Sequence, residues 1–426
     1  MTGTTKSLVL GPFTPGMNNR RPDFKLEKIE GGIRTSFVRS AVNADITGQG
    51  TIKRRPGFVL ALSGSDCHSL WTVSDGSFGL YIDYATLYRI SGTAHAPIKT
   101  ALRTDMSPGH LVSFAETASG VYYSNGVVNG RIDWLGNHPL GVPLLSVTPL
   151  ATATTGGALR AGDYQVCFTQ RNLDGEESGS TVPQTVTVPA NGKVTITNLP
   201  TAFPSGVSAV SIYFTAPNDG VLMRRATLTT ATSTFVIATN EPLGGRCPTL
   251  LLTPMPVGNI VRELNGRLLV VAGSMLYYSE PYAHALMNPA RNYVAFPTPI
   301  TMVEAVNNGF FIAADQTYWV RGDIASSELN PVLPFGAVPH TSGQNPDENA
   351  CFWMSSRGMI TGTQDGVVTR LQEANVAVDQ AQIGAFLYRK GDGMKQALGA
   401  LFGPQVTAVA ASSFIEAEVI RKATVL

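Results

Sequence analysis

Apolar residues recur mostly at every second position along this chain, in short runs that close on glycine, asparagine or aspartate. Such a pattern predicts half-buried β-strands joined by tight turns. A longer unit repeats above it: a strand, a turn containing glycine, an apolar strand, a second turn and a strand often rich in aromatics. Copies lie at residues 69–88, 111–126, 260–278, 302–320 and 350–368. A meander of this kind cannot bury both of its faces alone, and copies at roughly 40-residue spacing predict a β-propeller of about five or six blades. The copies are degenerate and lack the Gly-His and Trp-Asp marks of WD40 blades, so an ordinary β-sandwich is the competing reading. Helical periodicity is nearly absent. Its best instance runs from Asp379 to Leu401, with Ile383, Phe386, Leu387, Met394, Ala397, Leu398 and Leu401 near helical spacing, against Gly384, Gly391, Gly393 and Gly399.

Residues 141–250 break the repeat. They are rich in Thr, Val, Ala and Pro and poor in aromatics. Alternating runs at Gly162–Gln170, Lys193–Thr197, Ala209–Phe214 and Ser233–Ile237, with an Asp-Gly tip within Asn172–Gly179, predict an inserted antiparallel sandwich of immunoglobulin or fibronectin III type. Pro143 and Pro254-Met255-Pro256 mark its linkers. The chain therefore divides into an extended N-terminal arm with first strands (1–60), a first propeller part (61–140), the inserted sandwich (141–250), and a second propeller part with the C-terminal segment (251–426). An arm such as Gly11–Pro22 is expected to lie along its own domain or to reach a neighbour.

Composition narrows the function. Hydrophobic residues make up 43 % and charged residues 14 % of the 426 positions, with 43 Gly and 27 Pro. That charge is low against the roughly 25 % usual for soluble globular chains and suits a surface covered by neighbours in an assembly. A net charge of +1 supplies no field for gripping nucleic acid by phosphate neutralisation. The four cysteines, Cys67, Cys167, Cys247 and Cys351, are far apart in sequence and indicate neither a zinc site nor a disulfide framework, but buried free thiols of a reducing compartment. Met1–Pro12 has no secretory core, and no run approaches the ~18 apolar residues of a membrane helix, so a soluble product without membrane insertion is expected.

Several segments, in order, resemble a known family. They are Asn18-Asn19-Arg20-Arg21-Pro22, Arg39–Asp45, Gly50-Thr-Ile-Lys-Arg-Arg-Pro-Gly-Phe58, Leu276-Tyr-Tyr-Ser-Glu-Pro-Tyr282 and Asn292–Phe296. The set is similar to tail nozzle or tail hub proteins of short-tailed bacteriophages, over about residues 10–60 and 255–325. The resemblance implies a virion structural protein made in the host bacterial cytoplasm, forming the distal part of the tail as a homo-hexameric ring below the head-to-tail adaptor or portal complex. DNA would pass through its lumen during ejection without specific binding. Tail fibres or a tail needle are further partners it implies.

No enzyme, cofactor or metal site is expected. The six histidines (His68, His95, His110, His138, His284, His340) show no metal-ligand spacing, and no nucleophile elbow or P-loop exists. The rival function is a glycan-binding or glycan-cleaving tail receptor module, which would need paired carboxylates. Asp83, Glu116, Glu263, Glu280 and Asp315 are the candidates. Asp75-Gly76 and Asp365-Gly366 read as hairpin turns. Arg321-Gly322-Asp323 reads as coincidence. Lys53-Arg54-Arg55 is the one tight basic cluster, open between a solvated turn, a subunit contact and a DNA contact. Tyr122-Tyr123, Tyr277-Tyr278 and Tyr318-Trp319 fit inter-blade core better than sugar stacking.

Overall fold

A computed structural model describes residues 11–403 and 415–421, apart from 31, 42, 43, 48, 55–59, 94, 95, 242, 243, 346, 377–380, 392 and 393. The alternating runs become strands and the protein is all-β. Among the described residues the single helical element is a 3-10 turn, Asp23–Lys25. Contacts gather the chain into two units, Gly64–Ala295, and Met1–Ser63 with Phe296–Leu426.

In the unit Gly64–Ala295, three antiparallel four-stranded meanders form. Sheet I is Cys67–Thr72, Gly79–Asp83, Thr86–Thr93 and Ala96–Arg103, and sheet II is Ser113–Thr117, Gly120–Ser124, Asn129–Asp133 and Gly136–His138. Sheet III is Ile260–Leu264, Arg267–Ala272, Met275–Tyr278 and Tyr293–Ala295. Period-2 alternation explains why they stack. Phe114, Val121, Tyr123 and Ile132 of sheet II meet Leu80, Ile82 and Leu87 of sheet I, while Ala115 and Tyr122 point the other way and meet Val261, Leu268 and Val270 of sheet III. Adjacent residues of one strand thus serve two cores. Each fully buried large side chain contributes about 1.5–3 kcal/mol. Backbone bonds add to the contact of sheets II and III: Gly126 N–H donates to Gly258 O at 2.8 Å, and Gly258 N–H to Ser124 Oγ at 3.0 Å.

Between sheets II and III the chain builds a body of two sheets. One has strands Leu150–Leu159, Gly192–Thr197 and Phe235–Ile237; the other is ordered Gln184–Val188, Gly162–Arg171, Ala209–Phe214 and Met223–Leu228. They share a core of Tyr164, Val166, Phe168, Val186, Val194, Ile196, Val210, Ile212, Phe214 and Ile237. Gln170 Nε2 donates to the carbonyls of Pro143 (2.9 Å) and Leu144 (2.8 Å) where the chain enters this body. A Cβ placed on Gly179 would lie 1.9 Å from Leu252 O and 3.2 Å from Leu144 Cδ2, so the incoming and outgoing segments run side by side.

In the other unit, sheet IV is Met302–Val306, Gly309–Ala313, Thr317–Arg321 and Asn330–Leu333, and sheet V is Gly343–Asn345, Ala350–Ser355, Gly358–Thr363 and Val368–Arg370. Sheet VI is Ile383–Gly391, Met394–Phe402 and Ile415–Arg421. The stacking rule repeats: Cys351, Trp353 and Ile360 join Phe311 and Trp319 of sheet IV, whereas Met354 and Met359 join Ala397 and Leu401 of sheet VI. Sheet VI corrects the helical periodicity of 379–401. Two strands pair there, from Ile383 with Phe402 to Gly391 with Met394. Gly384, Gly391 and Gly399, poor helix formers, outweigh the spacing. Asp379, Asp392 and Gly393 themselves lie outside the described residues. The N-terminal segment adds two short ribbons, Glu27–Glu30 with Ile33–Ser36 and Ala44–Ile46 with Ile52–Arg54.

The five repeats found in sequence fall on sheets I to V. The copy at 350–368 begins on the second strand of its sheet, because Gly343–Asn345 precedes it.

Candidate functional site

The five candidate carboxylates serve separate turns. Asp83 ends a strand of sheet I, accepts from Ser65 N–H (2.9 Å) and Oγ (3.1 Å), and pairs with Lys99 at 3.0 Å. The Ser65 N–H first, then Lys99, holds its carboxyl far below the usual range. Lys99 is raised by Tyr81 and Asp83 and lies 3.9 Å from the Tyr88 ring centre. Glu116 of sheet II accepts from Ser74 N–H (2.7 Å) and Oγ (2.9 Å), tying down a turn of sheet I. Glu263 accepts from Gly266 N–H at 2.8 Å in its own hairpin. Asp315 accepts from Tyr318 OH at 3.1 Å. Glu280 accepts from Arg291 Nη2 and Asn292 Nδ2, both at 3.0 Å. Each of the five is held by different donors, and the geometry of an acid–base pair is not built from them.

Two of the segments that carried the family resemblance act as locks. In Leu276–Tyr282, buried Ser279 exchanges bonds with Leu268 (N–H to Leu268 O, 2.9 Å; Leu268 N–H to Oγ, 2.9 Å), and Tyr278 OH donates to Arg291 O at 2.8 Å. In Asn18–Pro22, the fully buried Asn18 side chain accepts from Arg20 and Arg21 N–H (3.1 and 3.0 Å) and donates to Asn375 Oδ1 at 3.1 Å. The arm therefore lies along its own unit.

The remaining candidates are dispersed. His138 bonds Asp133 at 2.9 Å. His68 and His284 are partly buried, and that burial lowers the pKa of each; the His284 ring centre is 5.4 Å from that of Tyr122. His110 and His340 are exposed, and His95 lies outside the described residues. Among the described residues no three His, Cys, Asp or Glu gather as metal ligands. Gly322 of the Arg-Gly-Asp tripeptide makes a left-handed turn at φ +71°, and Asp323 accepts from Ala325 N–H at 3.1 Å. Lys53 and Arg54 are exposed on an edge strand; Arg55 lies outside the described residues. Tyr122, Tyr123, Tyr278 and Trp319 are buried, and Tyr277 packs against the core of sheets II and III. A shallow apolar cleft of about 140 Å³, lined by Leu199, Phe203, Val210 and Leu228 among others, is below the ~300 Å³ of ordinary ligand pockets.

Two features escape a reading by sequence spacing. First, charge is segregated: residues 1–60 hold ten Lys and Arg against four Asp and Glu, within a chain of net +1. A windowed charge count finds this. Second, Cys167 and Cys247, 80 positions apart, meet on the outer face of the four-stranded sheet with Tyr213 and Leu222. Residues 246–251 form a strap across that face. Arg246 bridges Met223, Cys247 N–H donates to Leu222 O (3.0 Å), and Thr249 Oγ1 donates to Ser178 O (2.6 Å) beyond the opposite edge. Glu177 lies beside the thiols and accepts from Tyr213 OH (2.6 Å) and Thr169 Oγ1 (2.9 Å). Only the crossing of the strap brings the two cysteines together, and no spacing rule encodes it.

Neither known family profiles nor curated proteins match this chain. Solved structures give distant likenesses. A functionally unknown protein from Desulfotomaculum acetoxidans DSM 771 aligns at 14 % identity, over 74 % of this chain and 89 % of its own, with a TM-score of 0.29. The WD40 β-propeller domain of Doa1 aligns at 7 % identity, over 80 % and 93 %, also at 0.29. BBS1N in complex with ARL6DN aligns at 10 %, over 78 % and 89 %, again at 0.29. At these scores the alignments carry no functional argument.

Proposed function

We propose that this protein is a structural component of a short bacteriophage tail. In this reading it is a nozzle subunit, in which the stacked meanders are blades of a propeller and the two-sheet body is an inserted immunoglobulin or fibronectin III-like sandwich. Copies assemble into a ring by docking on a head-to-tail adaptor, and DNA slides through the lumen. The supporting observation is the use of the polar groups: each candidate carboxylate is engaged in holding a turn or a neighbouring strand, as suits a rigid wall. The N-terminal segment supports contact between copies, because it exposes Phe24 (82 %), Ile29 (68 %) and Ile33 (64 %) beside its excess cations.

Gold-tagged antibody against residues 141–250, applied to purified virions, tests the reading by negative-stain microscopy. Label at the distal end of a short tail is the expected result. Label over the head, or absence of the protein from virion mass spectra, would overturn it. Incubation with host surface polysaccharide tests the rival function, and released oligosaccharide would count against a purely structural role.

A further inference from the structure

We propose that Cys167 and Cys247 are an oxidisable pair, a modification site at which a small-molecule disulfide of the glutathione class converts two thiols into one cross-link that rivets the strap to the sheet. The site is independent of the tail reading.

Geometry carries the argument. Cys167 sits on the strand Gly162–Arg171 opposite Tyr213, on the face away from the Tyr164–Val166–Phe168 core. It is fully buried, while Cys247 on the strap is only partly so. The strap is fastened at both edges of the sheet, through Leu222 on one side and Ser178 and Ser180 on the other, with Ser180 N–H donating to Thr249 O at 3.1 Å. Cys247 is thereby held over Cys167 rather than swinging free. The remaining cysteines sit elsewhere, Cys67 exposed on sheet I and Cys351 buried in sheet V.

The electrostatics give the two sulfurs different tasks. The hydrogen bond from Cys167 lowers the Cys247 thiol, and the same bond together with burial raises Cys167. Cys247 is the nucleophile, since the thiolate is the attacking form and this sulfur is the accessible one. Its thiolate attacks one sulfur of the external disulfide, forms a mixed disulfide and expels one thiolate. Cys167 then loses its proton, attacks Cys247 Sγ and expels the second. One external disulfide becomes two thiols as the protein loses two hydrogens.

The test treats the native full-length protein with oxidised glutathione and maps peptides under non-reducing conditions. A peptide linking Cys167 to Cys247 is expected, with a reductant-reversible rise of several degrees in the melting temperature. Cys67 serves as an internal control that stops at the mixed disulfide. In Cys167→Ser, Cys247 is expected to stop at the mixed disulfide too; in Cys247→Ser, Cys167 is expected to stay reduced. A wild-type protein in which Cys67 reacts and neither strap cysteine does would overturn the proposal. So would glutathionylated Cys247 without the internal link.

Discussion

Two glycines of one unit share a backbone shape but not their surroundings, and alanine at each separates conformational strain from packing. Gly322 and Gly366 have φ of +71° and +79°. A left-handed residue bearing a Cβ costs about 1–2 kcal/mol, so both substitutions carry that loss. At Gly322 a Cβ meets nothing nearer than Ser327 Oγ at 4.0 Å, whereas at Gly366 it falls 2.5 Å from Trp319 Cδ1 and 2.6 Å from Nε1. Trp319 cannot give way easily, since its ring packs on Phe311 at 4.6 Å between centres inside the core of sheets IV and V. Overpacking of such a core adds about 1–3 kcal/mol. Gly322→Ala should therefore cost about 1–2 kcal/mol and Gly366→Ala about 2–5 kcal/mol. Urea unfolding followed by fluorescence measures both. Trp71→Phe and Trp134→Phe in the background leave Trp319 and Trp353 as the reporters. Equal losses, within about 0.5 kcal/mol, would refute the claim that the indole is fixed.

Trp353→Ala should cost about 3–5 kcal/mol by emptying the core beside Phe311, and Trp353→Phe clearly less, because its indole N–H has no partner; denaturation midpoints decide. Asn18→Ala should release the arm from Asn375, and limited trypsin digestion should then cut faster after Arg20. His284 has a pKa lowered by burial, which outweighs the opposing Glu176 charge. Below pH ~6.5 the unfolded chain therefore takes up the proton first, and stability falls as the pH drops. His284→Gln should flatten that fall, read as melting temperature between pH 7 and 5. Asp347 is held at about 2 by Lys390 and Lys395; its contribution is complete above the ordinary carboxylate range and disappears as pH falls toward 2, so Asp347→Asn should remove the matching part of the acid titration of stability.

The strands were legible because short apolar runs closed by turn residues mark them, alternating where one face is buried and continuous where both are. Tyr122 and Tyr123 illustrate it: neighbours in sequence, they serve different cores, as a twice-covered strand requires. The same rule failed between Asp379 and Leu401, where the side chains of two paired strands fall by coincidence near helical spacing. Turn chemistry was legible too, since Gly76 and Gly366 adopt the left-handed turns their Asp-Gly dipeptides suggest. The thiol pair was not legible, because it depends on a strap crossing a sheet and not on any local preference. The separate duties of Asp83, Glu116 and Glu280 were equally hidden: a carboxylate that fixes a turn looks, in sequence, like one awaiting a substrate.

The convergence of Leu144 and Leu252 on Gly179 has a bearing on how such a chain can evolve. Sheets II and III hold each other directly, and the two-sheet body is joined to them by its entering and leaving segments and by the Arg131–Glu176 pair at 3.1 Å. Closure entropy grows only with the logarithm of loop length, so replacing 110 residues with a linker of ten alters it by only ~2 kcal/mol. A foreign module with adjacent termini can occupy that socket if it supplies a new partner for Arg131, which is nearly buried and donates to Glu176. Diversity at this locus should arrive as wholesale replacement of cassettes, while the stacked sheets drift slowly beneath them.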